Sequence, residues 1–176
     1  MHKIKFNGGT FETYGDLPSV GSRAPDMSLV DTELRDLSLA NFSGFRKVLN
    51  IFPSVDTPTC AKSVEVFNRI GADHDSVRML MISCDLPFAH ARFAREHDLQ
   101  HVVSLSSIRH AGFGENYGVQ IMDGPLAGMF ARAVVVLDEN NTVVHTEQIV
   151  NIEEEPDYPA AMSALGLDVD PNHLED

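Results

Sequence analysis

The chain has 176 residues, close to the roughly 150 expected of one domain, with the apolar content of 43% that is typical of folded proteins. Asp and Glu number 26 against 13 Lys and Arg, and this negative excess repels nucleic-acid phosphates and anionic lipid headgroups. We therefore expect one domain over residues 1–176 that binds neither nucleic acid nor a membrane.

Cysteine usage and the start of the chain suggest a cytoplasmic location. Cys60 and Cys84 are too few for a disulfide framework, and the first residues lack the apolar stretch of a signal peptide. His97 and His101 have a metal-ligand spacing but no third partner nearby, so we interpret them as surface histidines. No metal or cofactor is expected.

The first third of the chain predicts a hairpin, two short strands, a longer strand and a helix. Residues 4–6 and 10–14 flank Asn7-Gly8-Gly9, which predicts an N-terminal hairpin extension over residues 1–15. Two short strands are expected within residues 28–39. The strand at 47–52 ends at Pro53, and Thr57-Pro58 has the residue types of an N-cap and a first helical position.

The rest of the chain alternates strands and helices before a final hairpin and helix. We predict strands at 77–83, 102–105, 133–137 and 142–145, helices at 88–97, 111–117 and 156–165, and a polar tail at 168–176 that frays. This order fits an α/β sheet with helices on both faces, as in a thioredoxin-like fold with an N-terminal β-hairpin extension.

Cys60 is the first candidate for chemistry. A helix that starts at Pro58 places it in the first turn, where free N–H groups and the positive end of the dipole favour a thiolate. It also follows a buried strand, where open α/β sheets place their sites. The alternative is a buried cysteine that acts as a small apolar residue.

Thr57 and Pro53 precede this cysteine at offsets that have a mechanical meaning. Thr57 lies about one helical turn before Cys60, so its hydroxyl could reach the sulfur or a bound peroxide. Pro53 could shield a thiolate without adding an N–H donor. Each also has a structural interpretation, as an N-cap and as a strand stop, and a residue can serve both purposes.

Pro53-x-x-x-Thr57-x-x-Cys60 resembles the signature of the peroxiredoxins. The segment Ser83-Cys84-Asp85-Leu86-Pro87-Phe88-Ala89, continued to Ala94, is similar to that of their thiol peroxidase subfamily. Residues 47–54, 123–138 and 155–158 are also similar, and the resemblance covers roughly residues 4–166.

The resemblance implies a homodimer that reduces hydrogen peroxide and alkyl hydroperoxides and is recycled by thioredoxin or another thiol reductant. Cys60 then matches the peroxidatic cysteine, which becomes a sulfenic acid, with Pro53, Thr57 and Arg132 at the other active-site positions. Without the resemblance, Arg132 would be interpreted as a solvated or salt-bridged residue before a strand.

One position departs from the subfamily pattern. Ala94 occupies the place of the resolving cysteine, so the usual internal disulfide with Cys60 cannot form. The chain is then a one-cysteine peroxidase, or carries a Cys→Ala replacement, or uses Cys84 as a substitute. For Cys84, inert packing is the favoured interpretation.

Two other functions remain open from the sequence. Cys60-Ala61-Lys62-Ser63 fits a monothiol thioltransferase, although the chain lacks the proline that such proteins place before the later strand. A redox sensor, in which oxidised Cys60 signals to other proteins, would react with peroxide without turnover.

Overall fold

The computed structural model describes residues 1–175 and consists of two sheets and four α-helices. The strands are β1 (Lys3–Phe6), β2 (Gly9–Glu12), β3 (Leu29–Val30), β4 (Asp36–Leu37), β5 (Arg46–Ile51), β6 (Val77–Ser83), β7 (Val103–Ser106), β8 (Ala133–Leu137) and β9 (Val143–Gln148). The helices are α1 (Pro58–Ala72), α2 (Pro87–Glu96), α3 (Gly112–Asn116) and α4 (Tyr158–Ser163), with 3₁₀ turns at Leu39–Phe42 and Pro171–His173.

The main sheet has seven strands in the order β4-β3-β7-β6-β5-β8-β9. The central strands β5, β6 and β7 are parallel, whereas β8 runs antiparallel to β5. Because β5 pairs Ile51 with Ala133, the residue before β8 lies beside the loop that follows β5. This register positions the functional site.

Alternate residues of the central strands pack into two separate cores, one on each face of the sheet. Helices α1, α2 and α4 cover the face that carries Val48 and Val134, and α3 packs on the other face, with Leu49 and Val135. The expected α/β sheet with helices on both faces is confirmed.

Helix α1 begins as the sequence predicts. The Thr57 side chain accepts a hydrogen bond from the Cys60 amide, and Pro58 occupies the first helical position, where its missing N–H costs nothing. The predicted buried face is only partly buried at Ala61, whereas Val64, Phe67 and Ile70 are inaccessible to solvent or nearly so.

The N-terminal hairpin is confirmed and docks beside the main sheet. Asn7 and Gly8 form its turn with φ of 47° and 78°, the left-handed conformations that a two-residue turn requires. The Lys5 amide donates to the Val150 carbonyl, and Ile4 packs against Ile152 in a third, smaller core.

The C-terminal tail, which the sequence predicts to fray from residue 168, is described through residue 175 and contacts the rest of the chain. Leu174 packs against the core beneath α1, and Arg69 donates to the carbonyl of His173. The His173 ring also contacts Asp73 at 2.6 Å. Apolar Val169 and Leu174 both pack against this core, while residue 176 lies outside the described residues. No helix within residues 1–175 is long and apolar enough to cross a bilayer.

Candidate active site

Cys60 lies at the third residue of α1 and is fully buried. Its Sγ accepts a hydrogen bond from Arg132 Nη2 at 3.2 Å. Because Arg132 directly precedes β8, the antiparallel pairing of β5 with β8 brings it to the loop that leads into α1. The structure thus joins two candidate residues that lie far apart in the sequence.

Arg132 is only 1% exposed, and backbone oxygen holds most of its guanidinium in place. Nε and Nη2 both donate to the Ile152 carbonyl, at 3.0 and 2.8 Å. Among the residues that the structure describes, Nη1 has no hydrogen-bond partner. A permanently charged donor with a free N–H next to the sulfur suits an anionic or highly polar ligand.

Thr57 and Pro53 lie in the loop between β5 and α1, near the buried thiol. The Thr57 hydroxyl donates to the Ser54 carbonyl and accepts from the Cys60 amide, both at 3.4 Å. Its recorded partners are therefore backbone groups, as an N-cap requires, and not the sulfur itself. Pro53 has no N–H that could compete for the sulfur.

A cavity of about 520 Å³ opens over this loop. Its lining residues include Pro53, the polar Thr57 and Arg132, the acidic Asp56 and Glu153, and the apolar Phe6, Leu126, Met129 and Ile152. Cys60, which is fully buried, is not among the lining residues. The cavity combines an apolar wall with one buried cation, which suits a small polar group carried on an apolar body.

Comparison with known proteins agrees with this geometry. The Redoxin family model matches residues 19–162. Curated thiol peroxidases of Corynebacterium glutamicum and Mycobacterium bovis are 44% and 45% identical to this chain, each over 94% of it and 99% of the relative. The chain belongs to the thiol peroxidases of the redoxin family.

A solved structure supports the same assignment. The peroxiredoxin-like protein of Aquifex aeolicus superposes with a TM-score of 0.87 at 32% identity, covering 93% of this chain and 96% of that one. The thioredoxin-like fold, the peroxiredoxin resemblance and the peroxidase class expected from the sequence are therefore confirmed.

Cys84 packs on the opposite face of the sheet from Cys60. It lies against the core that contains Leu49 and Val135, whereas Cys60 belongs to the core under α1. Its Sγ contacts the Gly128 carbonyl at 3.6 Å and accepts from Ser107 Oγ at 3.4 Å. Burial raises the pKa of the Cys84 thiol, and Asp85 raises it further, against the hydrogen bond from Ser107. A half-buried thiol with a raised pKa is a poor nucleophile, because the thiolate is the reactive form.

Ala94 lies on α2, half-buried, one residue after the core residue Phe93. The Leu99 amide donates to its carbonyl at 3.0 Å, which closes the end of this helix. His97, interpreted above as a surface histidine, contacts the Glu65 carboxylate and stacks on Phe93 with ring centroids 4.1 Å apart.

The sequence interpretation missed several residues that build the site. The Ile152 carbonyl fixes Arg132, and Phe6 brings the N-terminal hairpin to the cavity. It also missed a hydrogen-bond network beside the loop, in which the half-buried Asp85 joins the buried Ser83 and His90. The sequence signal for this network was the pair Ser83 and Asp85, which served above only as part of the family resemblance and not to predict hydrogen bonds.

Proposed function

We propose that this enzyme reduces hydrogen peroxide and alkyl hydroperoxides through a sulfenic acid on Cys60. The observation that carries the proposal is the hydrogen bond from buried Arg132 to the Cys60 sulfur, at the edge of a largely apolar cavity. The hydrogen bond from a charged donor is strongest when the sulfur is anionic, so Arg132 favours the thiolate, which is the nucleophilic form.

In the proposed reaction the Cys60 thiolate attacks the distal peroxide oxygen. An S–O bond forms, the O–O bond breaks, and the leaving alkoxide or hydroxide takes up a proton to give an alcohol or water. The unpartnered Nη1 of Arg132 is the donor available to the negative charge that develops along the S–O–O axis. Thr57 would cap the helix whose N–H groups face that charge, and Pro53 would limit access of water.

Recycling requires a thiol from outside the chain. Ala94 has no sulfur, and Cys84 belongs to the core on the other face of the sheet. An external thiol would condense with the sulfenic acid to a mixed disulfide and water, and a second thiol would release Cys60. Thioredoxin or another thiol reductant could supply both. Because this cycle needs reduced thiols, we place the enzyme in the cytoplasm.

The assembly we propose is a homodimer. Leu86 and Phe88, at the start of α2, are 52% and 68% exposed, and such apolar surface favours a second copy of the chain. Light scattering should give the dimer mass for the wild type and the monomer mass for Phe88→Asp. Val20→Asp, at another exposed apolar residue, is the control and should stay dimeric. A monomeric wild type would contradict the dimer.

The essential role of Cys60 is tested by paired cysteine variants. Cys60→Ser should abolish peroxide consumption, because a neutral hydroxyl here has no base to activate it. Cys84→Ser, which removes the other thiol of the chain, should retain turnover with an added thiol. Peroxide turnover in Cys60→Ser would overturn the proposal, and loss of turnover in a folded Cys84→Ser would assign the resolving role to Cys84.

A further inference from the structure

Ser83, the last residue of β6, is fully buried, and its hydroxyl takes part in three hydrogen bonds. Its Oγ donates to Asp85 Oδ2 at 2.5 Å and accepts from the Asp85 amide at 3.1 Å. His90 Nε2 lies 3.0 Å from the same oxygen. Because a hydroxyl has one proton and that proton goes to the carboxylate, His90 must donate from Nε2. The network therefore fixes the tautomer of His90.

The Asp85 carboxylate connects this network to the loop before α1. Its Oδ1 accepts from Ser54 Oγ at 2.8 Å, and its Oδ2 accepts from the Val55 amide at 2.9 Å. Three donors thus surround one carboxylate, one from the end of β6 and two from the loop after β5. Bonds to a charged acceptor are the stronger kind, so this is a firm connection between the two segments.

The connection continues from Ser54 to the reactive cysteine. The Ser54 carbonyl accepts from the Thr57 amide at 3.2 Å and from the Thr57 hydroxyl at 3.4 Å. That hydroxyl accepts in turn from the Cys60 amide. Each hydrogen bond between His90 and Cys60 has a consistent donor and acceptor, so the buried ring and the helix start are mechanically linked.

His90 is suited to this role because it is a buried neutral donor. It is 1% exposed and meets the Phe52 ring edge-on, with centroids 6.5 Å apart. Burial lowers the pKa of His90, and the Asp85 carboxylate offsets part of that effect. The catalytic step proposed above uses neither His90 nor Asp85.

We propose that Asp85, oriented by Ser83 and His90, is a positioning residue that holds the loop at 53–57 over Cys60 and thereby sets the rate of peroxide attack. This inference rests on the proposed function of Cys60. Without the carboxylate, Ser54 and Val55 lose their common acceptor, and the cavity wall formed by Pro53 and Thr57 is free to shift.

The central variant is Asp85→Asn, which keeps one oxygen acceptor but places an amide donor against a hydroxyl or an N–H. We expect the second-order rate with hydrogen peroxide, per folded molecule, to fall about 10-fold to 100-fold, because small misplacements in an active site cost this much. The melting temperature is measured alongside it.

Asp31→Asn is the matched control. Asp31 is a buried carboxylate that likewise accepts several hydrogen bonds, from the Glu33 and Arg35 amides at 2.9 Å in the turn between β3 and β4, and it pairs with the Arg35 guanidinium at 2.8 Å. It should lower stability comparably and leave the peroxide rate unchanged. Equal slowing in Asp31→Asn, or an unchanged rate in folded Asp85→Asn, would overturn the positioning role.

A second pair of variants keeps the test valid if Asp85→Asn does not fold. His90→Leu removes the Nε2–H donor, whereas His90→Gln places an amide N–H near the same point. We expect His90→Gln to recover most of the rate that His90→Leu loses. Equal rates in the two variants would refute the role of the donor. An active Cys60→Ser would instead refute the proposed function itself, so the two failures are distinguishable.

Discussion

Arg132 is the residue whose placement is hardest to justify by stability alone. Its guanidinium is buried, and burial of a charge is costly unless every donor finds a partner. The Ile152 carbonyl and the Cys60 sulfur use two of its nitrogens, and Nη1 is left without a partner among residues 1–175. We propose that this incompletely satisfied buried cation serves the reaction and not the fold.

This arrangement predicts separate effects of charge and shape at position 132. Arg132→Met should lower the peroxide rate about 100-fold or more per folded molecule, since it removes the donor to the reacting charge. It should also lower stability by about 1–3 kcal/mol, because the Ile152 carbonyl loses its partner. Arg132→Lys keeps the charge without the planar guanidinium donors, and we expect an intermediate rate.

Stopped-flow kinetics measures the peroxide rate of these variants, and thermal unfolding measures their stability. A rate that falls only with the folded fraction would make Arg132 structural.

At Thr57 the structure supports two roles that substitution can separate. Its hydroxyl caps α1 and lines the cavity. Thr57→Val should cost about 0.5–2 kcal/mol of unfolding free energy, as for other lost caps, and also slow peroxide attack. Thr57→Ser keeps the hydroxyl and should retain both properties. Loss of stability in Thr57→Val with an unchanged rate per folded molecule would leave only the cap.

The residues that the sequence revealed are those whose chemistry is local. Cys60, Thr57 and Pro53 could be found because one helix start places them together, and spacing along the chain encodes that turn. The Ile152 carbonyl and the tautomer of His90 could not, because backbone acceptors carry no residue signature and His90 acts through a network closed by tertiary contacts.

At the scale of elements, the buried strands were the most predictable. The strands at 77–83 and 133–137 have the predicted bounds, because each is built on an apolar run, residues 79–82 in the first strand and all five residues of the second. Helix α4 is shorter than the predicted 156–165, since it starts only after its N-cap Asp157. The course of the tail was not predictable, because two isolated apolar residues, Val169 and Leu174, are its contacts with the core.

We propose that helix α2 determines the fate of the oxidised cysteine. It carries Ala94 where a resolving thiol is expected, and ion pairs hold it near its middle and at its C-terminal end. Arg92 pairs with Asp56 at 2.7 Å near the cavity, and His97 contacts Glu65 on α1. With no thiol on this helix, opening it brings no sulfur to Cys60.

One equivalent of peroxide should therefore leave a Cys60 sulfenic acid that dimedone traps. Excess peroxide should drive Cys60 on to the sulfinic acid, since no internal thiol competes. Ala94→Cys should convert the product to an internal disulfide and restore recycling by thioredoxin. Peptide mapping under non-reducing conditions distinguishes these products, with Ala94→Ser as the control. A stoichiometric Cys60–Cys84 bridge in the wild type would contradict this account.

At the scale of the whole molecule, the negative net charge of 13 makes acid stability a composite of many groups. Several histidines contact carboxylates at the surface, including His110 with Asp36 and His173 with Asp73. The hydrogen bond from His110 is the main cause of the lowered pKa of Asp36. Single pH titrations of the wild type therefore mix opposing contributions, and only a difference between matched variants isolates one residue.

His90 offers such a difference, and its sign follows from burial. The pKa of His90 is lowered in the folded chain, whereas an unfolded histidine titrates near about 6.5. Above that pH the ring is neutral in both the folded and the unfolded chain, so its titration does not change the unfolding free energy. As the pH falls below it, the unfolded chain binds the extra proton first, so the unfolding free energy drops by up to about 1.4 kcal/mol per pH unit until the folded ring also protonates. Among the described charged groups, Asp85 acts on the ring and narrows the pH range over which the folded and unfolded chains differ in protonation.

His90→Gln cannot titrate, so the stability difference between wild type and variant should move in favour of the variant as the pH falls from about 7 to 5. Urea unfolding across that range measures it, and parallel curves would show that His90 does not hold its neutral, donating form in the folded protein.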